Sequence, residues 1–129
     1  MQAKSVDGRE PLADIERIVT MTYLYLFMAI VAEVIATSSL KAADGFTKLG
    51  PSLLVVIGYF AAFFLLSLVL RSMTVGIAYA IWSGVGIVLL ALVGAVAFRE
   101  IPDTPAVIGM GLIIAGVIVI HAFSQTVRV

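Results

Sequence analysis

The most informative residue of the chain is Glu33, a single acidic side chain in the middle of an apolar segment. The surrounding sequence, residues 23–40, reads YLYLFMAIVAEVIATSSL. An ionisable group in a bilayer core costs about 2.5–3.5 kcal/mol on insertion scales, so a chain that keeps one there generally uses it. No Lys or Arg lies inside an apolar segment to neutralise this carboxyl. We therefore expect a protonatable, water-accessible site for a cation or proton; the alternative is a packing role, with the carboxyl bonded to a hydroxyl on a neighbouring helix.

Residues three, four and seven positions from Glu33 share its face of a helix. They are Leu26, Ala29, Ile30 and Thr37. Small and hydroxyl-bearing neighbours leave space beside the carboxyl for a ligand or water, although small residues also serve close helix packing. We assign Ala29, Ile30 and Thr37 to the candidate binding site.

Aromatic residues inside the apolar segments form a second set of candidates. Tyr79 and Trp82 are three residues apart in GIAYAIWSGVGIVL, and Gly86 continues their face. Tyr59 and Phe63 are four apart in another segment. Aromatic faces attract organic cations, and a nearby carboxylate would supply the charge. The pattern predicts an aromatic cation site, with core packing as the alternative.

Two groups of glycines carry separate predictions. Gly84 and Gly86 weaken a helix, which suits a kink or hinge; a tight helix contact is the competing interpretation. Gly109 and Gly116 are seven residues apart and share a face of the last apolar segment. Because a strip of small residues lets two helices pack closely, we predict a dimer interface there rather than a contact within one chain.

Composition argues against several other chemistries. Cysteine is absent and His121 is the single histidine, so thiolate sites are excluded and a metal cage is not expected. There is no nucleophile–base set and no phosphate-binding loop, so we expect neither an enzyme nor a cofactor. The net charge is zero without a basic run, which gives no indication of nucleic-acid binding. We assign His121 no role.

Four apolar segments must position these residues, at about 21–40, 52–70, 76–98 and 105–124. Hydrophobic residues make up 62% of the chain, well above the roughly one half that is usual in soluble domains. Each segment is close to the length of about 20 residues that spans a bilayer, where only helices and closed barrels satisfy the backbone. Short loops favour antiparallel neighbours. We predict an all-α membrane protein with four transmembrane helices.

Residues 1–20 differ in composition from residues 21–129, which we take as one membrane domain of four helices. This polar extension holds seven of the sixteen charges. Apolar residues after Pro11 could mark one face of a short amphipathic helix. The competing interpretations are a disordered tail, or a start assigned too early with Met21 as the true first residue. Whether the extension is translated stays open.

Basic residues hardly distinguish the two sides of the membrane. With a cytoplasmic N-terminus and the extension left out, Arg71 and Arg128 lie inside, and Lys41, Lys48 and Arg99 lie outside. The positive-inside rule then selects no orientation, so we predict insertion in both directions. The alternative is that the extension is present and favours a cytoplasmic N-terminus by five basic residues to three.

Three stretches of the chain resemble the small multidrug resistance family: AEVIATSSLK at 32–41, DGFTKLGPS at 44–52 and GIAYAIWSGVGIVLL at 76–90. The resemblance runs from Met21 to about Ser124. It implies four transmembrane helices per protomer and an antiparallel, dual-topology homodimer in the inner (plasma) membrane. It also implies proton-coupled export of lipophilic and quaternary ammonium cations, driven by the proton gradient and without a cofactor.

The resemblance implies roles for individual positions as well. Glu33 corresponds to the membrane carboxylate that binds proton and substrate in turn. The third-helix kink corresponds to Gly84 and Gly86, and the dimer interface to Gly109 and Gly116. The substrate-site positions correspond to Tyr23, Tyr59, Tyr79 and Trp82, with Phe63 and Ser83 beside them.

Two rival functions stay open. A sister branch of the family exports guanidinium ions, and an exporter of small osmolyte cations would be similar. Members of that branch usually have a Trp soon after the glutamate and a Thr after the third-span Trp; this chain has Val34-Ile35-Ala36 and Ser83, as in the multidrug branch. The other rival is a non-transporting membrane scaffold or a lipid flippase subunit. The physiological substrate, the proton stoichiometry and a paralogue as partner are also undecided.

Overall fold

A computed structural model describes residues 10–125, which form four helices. They are α1 (Glu10–Ala42), α2 (Leu49–Val69), α3 (Val75–Ala97) and α4 (Thr104–Phe123). All four are long and apolar enough to cross a membrane. Apart from the start of α1, every helix boundary lies within three residues of its predicted span. The prediction of an all-helical chain with four membrane-length segments is confirmed.

The start of α1 differs from the predicted span. This helix begins at Glu10, eleven residues before Met21, and its 33 residues extend about 50 Å. A hydrocarbon core is about 30 Å thick, so α1 is too long to be enclosed by it. Since the apolar run begins near Met21, the N-terminal part is the part that projects. Residues 10–20 are helical and continuous with the span, while residues 1–9 of the extension lie outside the described residues. The division into an extension and a membrane domain stays a prediction.

The helix α1 packs most extensively on α2 and also contacts α3, and α3 in turn contacts α4. Buried apolar side chains join the first three helices in one core. This core consists of Leu26, Ile30, Val34, Leu66, Val69, Met73, Ile77 and Ala78. Burying such side chains on both sides of α1 fixes its rotation about its own axis, and hence the direction in which Glu33 points.

Glycines permit the closest approaches between helices. A Cβ atom placed on Gly58 of α2 would lie 2.8 Å from the Cβ of Ala36 on α1. A Cβ atom on Gly84 of α3 would lie 2.7 Å from Cγ2 of Val117 on α4. Gly84 therefore makes the tight helix contact that was the alternative to a hinge. The helix α3 is continuous from Val75 to Ala97, and the predicted kink stays a prediction.

An ion pair lies at the end of the bundle opposite the start of α1. Lys41, in the last turn of α1, pairs with Glu100 in the loop between α3 and α4. Its Nζ also lies 5.1 Å from the centroid of the Phe98 ring. Asp103 then begins α4, because its side chain accepts a hydrogen bond from the Ala106 amide at 3.0 Å. These contacts hold the α3–α4 loop against the end of α1.

Candidate cation site in the membrane

The carboxyl of Glu33 is half-buried on α1 and is held by a short chain of hydroxyl groups. Thr37 Oγ1, one turn later on the same helix, donates a hydrogen bond of 2.5 Å to Glu33 Oε1. The same Oγ1 lies 2.7 Å from the Tyr59 hydroxyl on α2. A threonine hydroxyl has one proton, so when Thr37 donates to Glu33, Tyr59 must donate to Thr37. Both hydroxyl groups are then oriented towards the carboxyl.

The hydrogen-bond network at Glu33 differs from the one expected if the carboxyl had only a packing role. That alternative needs a hydroxyl from a neighbouring helix directly on the carboxyl, whereas the direct donor, Thr37, belongs to α1 itself. The neighbouring helix contributes through Tyr59, one bond further away. Within residues 10–125 the carboxyl is thus bonded to hydroxyl groups and not to a basic side chain. Its use as a cation site stays a prediction.

Two aromatic pairs occupy α2 and α3. The rings of Tyr59 and Phe63 are stacked, with centroids 6.3 Å apart and an interplanar angle of 25°. The rings of Tyr79 and Trp82 are stacked at the same centroid distance with an angle of 17°. Phe63 and Tyr79 are exposed, while Tyr59 and Trp82 are half-buried. Each pair thus consists of one exposed ring and one half-buried ring in this single chain. Ser83, next to Trp82, is also exposed.

Three of the candidate residues lie elsewhere. Ala29 and Ile30 are fully buried in the chain's own core, at 0% and 1% exposure, so they support the site from behind and offer no surface to a ligand in this arrangement. Tyr23 precedes Glu33 by ten positions, about 15 Å along α1. Its ring packs edge-on against His121 of α4, at 5.9 Å between centroids. The binding roles of these three stay predictions.

The predicted interface on α4 is open in this chain. No residue of α4 is buried, and a Cβ atom on Gly109 or Gly116 would meet no atom within 4 Å among the described residues. The glycine strip is therefore available for a second helix. Its use in a dimer stays a prediction.

Sequence reasoning did not identify a cavity beside Thr37. It measures about 310 Å³ and extends from Thr37 and Ser38 to the Lys41–Glu100 ion pair and Phe98. The Ser38 hydroxyl is buried in the fold without a hydrogen-bond partner among residues 10–125. No sequence pattern indicates this cavity, because the α3–α4 loop must fold back onto α1 to form it. Within the same residues, no group of three His, Cys, Asp or Glu side chains is placed to hold a metal ion.

Four membrane-length helices with a hydrogen-bonded carboxyl and stacked aromatic pairs inside them define a small multi-span membrane protein with an ionisable intramembrane site. Residues 21–113 match the family model described as Small Multidrug Resistance protein. The chain belongs to this family, as its motifs predicted, and is a multi-pass inner-membrane protein.

Individual relatives agree with this assignment. Multidrug transporter PA4990 of Pseudomonas aeruginosa is 57% identical over 103 residues, which cover 80% of this chain and 94% of that relative. Quaternary ammonium compound-resistance protein QacE of Escherichia coli is 50% identical over 103 residues, with the same coverage. Multidrug transporter EmrE of Escherichia coli is 51% identical over 104 residues, covering 81% of this chain and 94% of the relative.

Proposed function

We propose that this protein is a proton-coupled antiporter that exports lipophilic and quaternary ammonium cations. The observation that carries the proposal is the Glu33 carboxyl, placed inside a membrane span with two hydroxyl dipoles directed at it. Its relatives, named as multidrug transporters and as a quaternary ammonium compound-resistance protein, support the same class of substrate.

Competition at one carboxyl couples the two fluxes. A cation needs the ionised form of Glu33, and a proton neutralises that form, so the two occupy the site in turn. The hydroxyl groups of Thr37 and Tyr59 form the hydrogen-bonded surroundings of this carboxyl. The π-faces of Tyr79 and Trp82 attract flat or lipophilic cations without selecting a particular shape, which suits a broad substrate range.

The proposed working unit is an antiparallel homodimer of dual topology. The unburied α4 and its glycine strip supply a surface for a second copy. The weak charge bias of the loops is compatible with insertion in both directions. In such a dimer two Glu33 carboxyls face one cavity, and exchange of the two protomers' shapes moves its opening from one side of the membrane to the other.

The first experiment measures tetraphenylphosphonium binding to the purified protein in detergent, between about pH 5 and pH 9. Affinity is expected to rise with pH, and the pH-linked binding to be lost in Glu33→Gln. Glu100→Gln is the matched control, because it removes a carboxyl from the α3–α4 loop and leaves the span unchanged. Liposomes with a proton gradient then test coupled uptake.

Three outcomes would overturn the proposal. Retained proton-coupled uptake in Glu33→Gln removes the central carboxyl from the mechanism. A response to guanidinium in place of tetraphenylphosphonium favours the sister branch. Behaviour that is unchanged on losing Glu33, with no transport of either cation, favours a scaffold.

A further inference from the structure

A second cavity lies between the N-terminal half of α1 and the C-terminal end of α2. The turn that follows α2 also lines it. Its volume is about 330 Å³. Basic, hydroxyl-bearing and apolar side chains all line it. They are Arg17, Ile18, Met21, Thr22, Tyr25, Leu68, Arg71 and Ser72.

The two arginines make this cavity basic. Arg17 and Arg71 are both exposed, and neither guanidinium group forms an ion pair or side-chain hydrogen bond within residues 10–125. Asp14 and Glu16 are the acids nearest to Arg17 along α1, and neither lines the cavity. The guanidinium donors are therefore free, and a planar guanidinium matches a phosphate or carboxylate in a bidentate manner.

The polar and apolar residues of the cavity occupy different depths relative to the bilayer. Arg17 precedes Met21, the start of the apolar run, by four residues, about 6 Å along the helix. Arg71 lies two positions after Val69, the last residue of α2. From this hydropathy pattern, both arginines are expected at headgroup level. Met21 and Leu68 lie about one helical turn closer to the hydrocarbon core than Arg17 and Arg71.

We propose that this cavity binds the headgroup phosphate of an anionic phospholipid. Basic pockets between transmembrane helices, at the membrane surface, have this specificity. Arg17 and Arg71 would hold the phosphate, and the hydroxyls of Tyr25 and Ser72 are additional donors in the same lining. The apolar part of the lining suits the first acyl carbons of a lipid, a feature that inorganic phosphate cannot use.

The site depends on the upstream part of α1. Arg17 lies before residue 21, where the family match begins, so family membership does not imply this site. The proposal gives the extension, which the transport mechanism does not use, a role in lipid binding through Arg17. This proposal does not rest on the proposed transport function, because lipid binding at this cavity requires no transported cation. The cavity also lies at the end of the bundle opposite Lys41.

The test is native mass spectrometry of the full chain, released from detergent with phosphatidylglycerol or phosphatidylcholine present. Wild type is expected to retain phosphatidylglycerol selectively. Arg17→Gln and Arg71→Gln should each weaken that retention by about fivefold, and the double variant on the order of twentyfold to thirtyfold. Arg99→Gln is the matched control, since it removes one positive charge from the α3–α4 loop and should leave retention unchanged.

Four results would overturn the proposal. They are equal retention of both lipids by wild type, unchanged selectivity in the double variant, an equal loss in Arg99→Gln, and displacement of the lipid by millimolar inorganic phosphate. The last result would identify a site for free phosphate. Should the double variant fail to fold, Arg17→Lys replaces it: this variant keeps the charge but loses the bidentate fork, so retention intermediate between wild type and Arg17→Gln is expected.

Discussion

Thr37 donates a hydrogen bond of 2.5 Å to the Glu33 carboxyl from one turn further along the same helix. Because both residues belong to α1, the geometry of this bond does not depend on how the helices pack against one another. The bond from Tyr59, in contrast, crosses from α2 and depends on how α1 and α2 are packed. The carboxyl thus has one donor that moves with it, and that donor is itself oriented by a second helix.

Replacing Thr37 with Val should weaken cation binding at neutral pH. The substitution keeps the shape but removes the donor that stabilises the ionised carboxyl, so we expect an affinity loss of about fivefold to tenfold. Under the proposed competition the loss should shrink at high pH, where fewer protons compete with the cation for Glu33. Tetraphenylphosphonium titration at several pH values measures it.

The matched control for Thr37 is Thr22→Val. Thr22 is also a threonine of α1, but its hydroxyl bonds to the backbone oxygen of Ile18 at 2.8 Å, away from the carboxyl. It should leave the pH dependence of binding unchanged. A loss in Thr37→Val that is equal at all pH values would contradict the role given to its hydroxyl.

Replacing Trp82 with Leu should reduce the affinity for lipophilic cations by about fivefold to thirtyfold, since a cation–π contact with a partly desolvated ring contributes roughly 1–2 kcal/mol. Trp82→Phe should retain most of the affinity, because a ring still stacks on Tyr79. Phe123→Leu, at the exposed end of α4, is the aromatic control. Equal binding by Trp82→Leu and wild type at every pH would exclude the Tyr79–Trp82 pair from the site.

Replacing Gly84 with Ala should destabilise the protein by about 1–3 kcal/mol, because the added methyl group overlaps Val117. Gly84→Ala combined with Val117→Ala should recover much of that loss. Gly76→Ala, in the first turn of α3, is the control, since a Cβ atom there would meet no atom within 4 Å among the described residues. Unfolding in mixed micelles measures each variant.

Transport by the same variants separates packing from hinge motion at Gly84. Recovered stability together with recovered transport in the double variant means that Gly84 serves helix packing. Recovered stability without transport would instead support a hinge at this position.

The Lys41–Glu100 ion pair should contribute little to stability. Both side chains are about half exposed, and exposed pairs are typically worth about 0–1 kcal/mol. Lys41→Gln and Glu100→Gln should each cost less than about 1 kcal/mol, and the double variant no more than either alone. A double-mutant cycle at low and high salt checks this, and a coupling energy that persists in about 1 M salt would contradict it.

Local patterns in the sequence were sufficient to predict the four membrane spans and to single out Glu33. Hydropathy predicts four spans because a bilayer requires about 20 apolar residues in each helix. Glu33 stands out because a charge in such a span is costly. The Tyr79–Trp82 and Glu33–Thr37 pairs follow from the helical repeat, since residues three or four apart are neighbours on any helix.

Only the tertiary structure decided which residues meet across helices. Tyr59 reaches Thr37, Tyr23 packs against His121, and Arg17 shares a cavity with Arg71. The buried positions of Ala29 and Ile30 and the contact of Gly84 with Val117 belong to the same category. A membrane helix that is apolar all round has no polar face to mark its outward side. Its rotation is therefore set by close packing against neighbouring helices, which no single segment of the sequence contains.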